Sequence, residues 1–239
     1  MNKNKLTNKV ALVLGATGDI GSAVADSLEA IGAVVCRHSR SGNYSADVSE
    51  EGQVGELVDR ILVKFGRIDV VVNSLSAPIK IGPIFKKKWS NFLNQLNVQL
   101  KAAVDTAYVL APRMKLLKSG HFINILSSVV AGEPPASYAD YITAKYAILG
   151  FSKCLFKEIK QYGINVTCIS PDFVATKLTS VFPPKLGEIL ASRNFSKRLT
   201  QPKDIAILVK EVLYNSGGYD GKNVIINGGK VIASVDLID

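Results

Sequence analysis

Apolar residues recur along the chain in two rhythms. Short continuous runs of strand length, such as Val70-Val71-Val72, alternate with longer stretches whose apolar positions fall three and four residues apart. The runs predict strands over 9–14, 33–38, 43–46, 68–73, 121–127, 164–170 and 222–227. The spaced stretches predict helices over 20–31, 50–65, 86–117, 137–162 and 202–214. Strands apolar on both faces belong in a parallel sheet covered by helices on each side, so the pattern predicts a doubly wound α/β fold. One interval breaks the rhythm: between the second and third strands there is no room for the crossover helix that parallel neighbours need, and residues 39–43 are read as a loop replacing it. No linker, repeat or composition shift divides the chain, which reads as one domain over 1–239.

Composition narrows the classes. With 239 residues, 47% of them hydrophobic, the chain can bury a sizeable core, which excludes disorder and a disulfide-stapled miniprotein. A formal net charge of +9 favours anionic partners: phosphorylated cofactors, acidic carrier proteins or nucleic acid. Cys36, Cys154 and Cys168 are odd in number and widely spaced, which fits a reduced, cytoplasmic protein. The two histidines, His38 and His121, lie in no cluster with ligand spacing, so no metal is expected. The apolar run over 10–14 is far short of a membrane span, and no membrane partner is expected.

Two constellations carry chemistry. The first predicted strand runs into Gly15-Ala16-Thr17-Gly18-Asp19-Ile20-Gly21 and then a helix, a placement that lets backbone approach a pyrophosphate at a helix N-terminus. Within a later helix, Tyr141 and Lys145 are four residues apart and share a face, where the ammonium can stabilise a phenolate and lower its pKa from about 10 toward neutrality. Ser128 lies thirteen residues before the tyrosine, at the end of an apolar strand.

With these residues the chain resembles the short-chain dehydrogenase/reductases of the compact, single-domain branch, over nearly its whole length. Further landmarks are Ala46-Asp47-Val48, the Phe65-Gly-Arg-Ile-Asp69 stretch, Asn97, Ser127-Ser128, residues 171–176 and Gly221-Lys-Asn-Val-Ile-Ile-Asn-Gly-Gly229. The resemblance implies a Rossmann-fold oxidoreductase in which Tyr141 donates a proton to a carbonyl oxygen. Lys145 would lower its pKa and bind the nicotinamide ribose, Ser128 would hold the substrate oxygen, and Asn97 would support a water-linked relay. Ser127 is the alternative serine, because the stretch 120–128 is one residue longer than the family usually has. Cofactor contacts are implied for Gly15, Thr17, Gly18, Asp19, Ile20, Gly21, Asp47, Val48, Asn73 and Thr176. Ser39 stands where an NAD-binding relative would carry a carboxylate, and Arg40 follows it with no acid beside it. NADP(H) is therefore expected, with NAD(H) as the alternative.

The sequence departs from the family in four places. Asp19 replaces the middle glycine, Asn73-Ser74-Leu75-Ser76 replaces Asn-Asn-Ala-Gly, Asp172 replaces the glycine after Pro171, and the crossover helix after the second strand is missing. Residues 181–199 fall where the family carries a mobile lid. Lys86-Lys87-Lys88 is read as a solvated face and Trp89 as packing.

The function expected is reduction of a ketone or aldehyde, in the manner of 3-oxoacyl-carrier-protein reductases. The alternatives are a reductase of a sugar or secondary-metabolite ketone and a non-catalytic dinucleotide-binding regulator. A small carbonyl or alcohol substrate is expected, with acyl carrier protein as a candidate partner docking at Lys115, Lys118, Lys157 and Lys160; nucleic acid is not expected. Apolar positions beyond one stripe on the two long helices, such as Tyr108 and Leu149, predict a homotetramer.

Overall fold

The computed structural model describes residues 6–238. One eight-stranded sheet in the order β3-β2-β1-β4-β5-β6-β7-β8 forms its centre. Its strands are β1 (Val10–Leu14), β2 (Val34–Ser39), β3 (Tyr44–Ser45), β4 (Val70–Asn73), β5 (Gly120–Ile125), β6 (Ile164–Pro171), β7 (Lys222–Asn227) and β8 (Lys230–Asp236). The first seven are parallel and β8 returns antiparallel to β7. The helices are α1 (Asp19–Glu29), α2 (Gln53–Phe65), α3 (Trp89–Leu117), α4 (Ala139–Ile159), α5 (Pro184–Arg193), α6 (Pro202–Tyr214) and the short α7 (Ser216–Tyr219).

Wholly buried β1 and β4 explain the continuous apolar runs, since each face of the sheet has its own core. On one face Val24 and Leu28 of α1 meet Val209 and Val212 of α6; on the other Leu57 of α2, Leu110 of α3 and Ile148 of α4 pack on Leu12 and Phe122. Chain order runs outward from β1 through β2 to β3 and then back to β4 on the other side of β1. That reversal opens a crevice at the carboxyl ends of β1 and β4, the usual ligand position in such sheets.

The expected missing crossover is seen: β2 and β3 are parallel and joined by residues 40–43 alone. Three elements were not foreseen, β8, α5 and the short α7. Two further expectations are corrected. Lys87 is not solvated but buried, with its ammonium 2.8 Å from the carboxylate of buried Asp140, and Trp89 is mostly exposed.

Candidate functional site

The turn after β1 admits only glycine at two points. Gly15 has a left-handed φ of +77°, and a Cβ on Gly21 would stand 2.2 Å from the Gly15 carbonyl oxygen and 2.7 Å from Ser74 Oγ. Gly18, the N-cap of α1, brings no side chain to the helix's opening amides. Those amides have no intrahelical acceptor, and together with the helix dipole they suit a phosphate. The cradle and the uncapped helix start fit the pyrophosphate of a dinucleotide.

His38 buttresses this turn from β2. The Gly15 N–H donates to its Nδ1 at 3.3 Å, the Ala16 N–H donates to its carbonyl at 2.9 Å, and its Nε2 lies 3.1 Å from the Ala46 carbonyl. An acceptor Nδ1 and a donor Nε2 make a neutral imidazole, and burial pushes its pKa down. His38 thus ties the glycine turn to the segment bearing Asp47 and buried Val48.

Arg40 is exposed and makes no hydrogen bond or ion pair among the described residues, while the Ser39 hydroxyl is bound to the Ser41 backbone. The Asp47 carboxylate accepts from the Ser49 hydroxyl at 2.6 Å and its N–H at 3.0 Å; these bonds, with a smaller pull from Arg40, hold its pKa below the usual range. An acid does lie within reach of Arg40, contrary to expectation. Asn73 ends β4 with its amide on the Gln99 carbonyl at 3.2 Å. Ser74 Oγ donates to the Leu14 carbonyl at 2.6 Å, so the bulkier Asn-Ser-Leu-Ser stretch packs directly on the glycine turn.

Tyr141 and Lys145 sit one turn apart on α4, above the ends of β5 and β6. Lys145 is buried; its Nζ donates to the Ile125 carbonyl at 2.9 Å and lies 5.6 Å from the centre of the Tyr141 ring. Burial with no carboxylate partner among the described residues pulls its pKa down to about 7. Burial also pushes the Tyr141 phenol up to about 12, and the one favourable influence on its ionisation is a hydrogen bond with the Ser127 hydroxyl. Desolvation is the largest influence on the phenol, and Lys145 is not among the groups that act on it.

The serine against the phenol is Ser127, the alternative, and not Ser128. Ser127 caps the 3₁₀ turn Ser128–Val130, accepting the Val129 N–H at 3.5 Å, whereas Ser128 has already entered the turn and is not bonded to Tyr141. Asn97 is also displaced from its expected place. It is exposed on α3, while Gln95 and Gln99 occupy the inward face. Gln99 Nε2 donates to Gln95 Oε1 at 2.6 Å and Gln95 Nε2 donates to the Pro78 carbonyl at 3.1 Å. Gln99 Oε1 is the one buried side-chain polar atom without a partner among the described residues.

A cavity of about 680 Å³ joins the two halves: Ile20 of the glycine turn and Thr176 line it together with Ser127, Ser128 and Tyr141. Its walls are largely apolar, with Ile79, Leu126, Val129, Phe173, Leu186 and Leu190. Phe182 packs edge-on against both Tyr138 and Phe173, at ring distances of 5.8 and 5.5 Å. Thr176 and Thr179 cap one another, and the Asp19 carboxylate accepts the Lys177 N–H at 2.6 Å, fastening this wall to the glycine turn. The carboxylate of Asp172, which stands in place of the family's glycine, has its oxygens taken up by Asn194 (2.8 Å), Gly228 N–H (3.3 Å) and the Thr200 hydroxyl. Burial still leaves its pKa raised. No cluster of metal-ligating side chains occurs among the described residues.

A helix-opening phosphate cradle joined by one cavity to a serine and a tyrosine backed by a buried lysine defines a dinucleotide-dependent oxidoreductase. A family model described as enoyl-(acyl carrier protein) reductase matches residues 15–230. Similar proteins include the 3-oxoacyl-(acyl-carrier-protein) reductase of Thermotoga maritima, 27% identical and covering 95% of this chain and 100% of that protein. The corresponding reductase of Haemophilus influenzae is 29% identical, covering 94% and 98%. Among solved structures, a gluconate 5-dehydrogenase from Burkholderia cenocepacia in complex with NADP and tartrate superposes with a TM-score of 0.84 at 22% identity, over 94% of this chain and 95% of that one. The chain belongs to the short-chain dehydrogenase/reductase family and is an NAD(P)-dependent oxidoreductase acting on CH–OH and C=O groups.

Proposed function

We propose that the protein is an NADPH-dependent carbonyl reductase whose substrate is an apolar ketone or a 3-oxoacyl group. The observation that carries this reading is the largely apolar cavity that Ser127 and Tyr141 line together with Ile20 of the glycine turn. Gly15, Thr17, Gly18, Asp19, Ile20 and Gly21 would cradle the cofactor's pyrophosphate. Asp47 and Val48 would meet the adenine, and Ser39 and Arg40 a ribose 2′-phosphate. Asn73, Thr176 and Lys145 would flank the nicotinamide end. A nicotinamide bound there supplies hydride to the carbonyl carbon.

This chain's residues handle the oxygen. Hydride arrival leaves an alkoxide, and the Tyr141 phenol, protonated at neutral pH, transfers its proton to it as the Ser127 hydroxyl donates a hydrogen bond to the same oxygen. Lys145, titrating near neutrality, is placed to return a proton toward Tyr141. The inward-facing amide of Gln99, rather than Asn97, has an acceptor to spare for a relay water. The Phe173–Phe182–Tyr138 wall keeps bulk water off the alkoxide, and residues 181–199, which include α5, act as the lid.

The apolar walls favour an acyl or other apolar substrate over a sugar. Lys115, Lys118, Lys157 and Lys160 are a candidate docking set for an acyl carrier protein, although Lys115 lies 4.1 Å over the Tyr162 ring and Lys160 lies 5.6 Å over that of Phe156. Exposed Val104 and Tyr108 on α3 and Tyr146 on α4 support pairing of these helices in a cytoplasmic homotetramer. The test is oxidation of NADPH and of NADH with 3-oxoacyl pantetheine and carrier thioesters, apolar ketones and sugar ketones. Turnover of sugar ketones alone would reverse the substrate reading, and cofactor binding without turnover of any carbonyl would favour the regulator.

A further inference from the structure

The segment between β4 and α3 carries a surface that neither the cofactor nor the catalytic groups use. Within residues 80–89, Phe85 is 83% exposed, Ile84 68%, Trp89 66% and Ile81 50%. Lys80, Lys86 and Lys88 are exposed among them, with no ion pair to any described residue. The fourth lysine of the stretch is of another kind: buried Lys87 holds Asp140 and the Lys80 carbonyl, pinning the segment to the start of α4 one residue before Tyr141. Apolar tips and free cations are thus presented on a rigidly held base.

The patch adjoins the active cavity. Pro83, Ile84 and Phe85 face Pro134, Pro135 and Ala136 across a notch, and Pro135 also lines the cavity that holds Ser127 and Tyr141. We propose that residues 80–89 dock the protein on an anionic lipid surface. Phe85, Ile84 and Trp89 enter the boundary between headgroups and acyl chains while Lys80, Lys86 and Lys88 meet lipid phosphates, beside the mouth of a cavity suited to an apolar substrate. Exposed aromatic tips ringed by lysines are the composition such interfaces select. A chain of net charge +9 adds long-range attraction. The sequence-based expectation of no membrane partner rested on the lack of a spanning segment, and no helix among the described residues is long and apolar enough to cross a membrane. Surface docking needs none.

Trp89 is the only tryptophan in the chain, so its emission reports the patch directly. The unmodified protein is titrated with vesicles of equal parts phosphatidylglycerol and phosphatidylcholine, then with phosphatidylcholine alone, with co-sedimentation in parallel. The expected result is a blue shift and sedimentation with the anionic vesicles only. Lys→Gln at positions 80, 86 and 88 should each weaken binding about fivefold, on the order of a hundredfold together. Phe85→Ser should abolish the shift, and circular dichroism and cofactor binding of each variant should match the parent. No shift with either vesicle overturns the proposal, as does equal binding to neutral vesicles. A shift that grows with protein concentration in the absence of lipid, or that an acidic carrier protein produces at lower concentration than lipid does, assigns the patch to a protein partner and likewise overturns it. None of these readouts depends on turnover, so they stand apart from the assay of the proposed reaction.

Discussion

Replacing Ser127 by alanine removes one oxygen from the cavity and the one hydrogen-bonding group that favours ionisation of Tyr141. Two effects should follow. Losing a donor aimed at a developing alkoxide costs about 10²–10³ in kcat, or about 2.7–4 kcal/mol. Tyr141 also loses the one bond that favours its ionisation, so alcohol oxidation, which needs the phenolate, should fall more than carbonyl reduction. Ser128→Ala deletes the neighbouring hydroxyl, which makes no bond to the phenol, and should change kcat by no more than about twofold, the scale of a substitution away from any special contact. Steady-state kinetics of both variants across pH, in both directions, check this. A large loss in Ser128→Ala with near-normal Ser127→Ala would refute the assignment and restore the thirteen-residue count.

Tyr141→Phe should lower kcat by about 10²–10⁴ while leaving cofactor dissociation constants near those of the parent, as measured by fluorescence titration. Arg40→Ala should weaken NADPH about tenfold, a value discounted for the exposure of the guanidinium, and leave NADH unchanged; equal effects on both cofactors would remove Arg40 from the phosphate site. His121 is buried with Nε2 2.9 Å from the Thr167 hydroxyl, and burial pulls its pKa down to about 3. The unfolded chain therefore takes up the proton first, and this contribution to stability is complete above about pH 6.5 and lost as pH falls toward 3, by at most about 5 kcal/mol. Urea midpoints should fall less steeply between pH 6.5 and 4 in His121→Gln than in the parent, and parallel curves would contradict the burial argument.

Much of the fold is legible in the sequence because β1, β4 and β6 are covered on both faces and are therefore mostly apolar, all of β1 and Val70 to Val72 of β4 without interruption. β8 escapes that signal: its apolar run, Val231 to Ala233, is short and lies exposed at the sheet edge, with no buried alternation to mark it. α5 likewise buries no residue fully, and its apolar positions Leu186, Ile189 and Leu190 span little more than one turn in a segment bounded by prolines and lysines. At the site, Tyr141 and Lys145 are found by helical spacing alone. Ser127 is placed second to Ser128 because the spacing is counted back from the tyrosine, across an irregular loop, instead of forward along β5, whose geometry is fixed. Asn97 is misplaced for a reason also present in the sequence. Ala102, Ala103, Thr106, Leu110 and Met114 mark the inward face of α3, and that face extends back through Gln99 to Gln95. Asn97 is two residues from either, about 200° around the helix. The role of His38 carries no sequence signal, since it depends on how β2 meets the glycine turn.

The ties at the two ends of residues 180–193 bear on how new specificities could be made. At one end Thr176 and Thr179 cap each other and Lys177 is fastened to Asp19; at the other Asn194, Thr200 and Gly228 converge on Asp172. Residues 180–193 hang between these anchors, and α5 within them has no fully buried side chain. They form an exchangeable cassette. Segments of equal length grafted between the same anchors would recast the cavity beside Tyr141, while Tyr141, Ser127 and the glycine turn keep their positions.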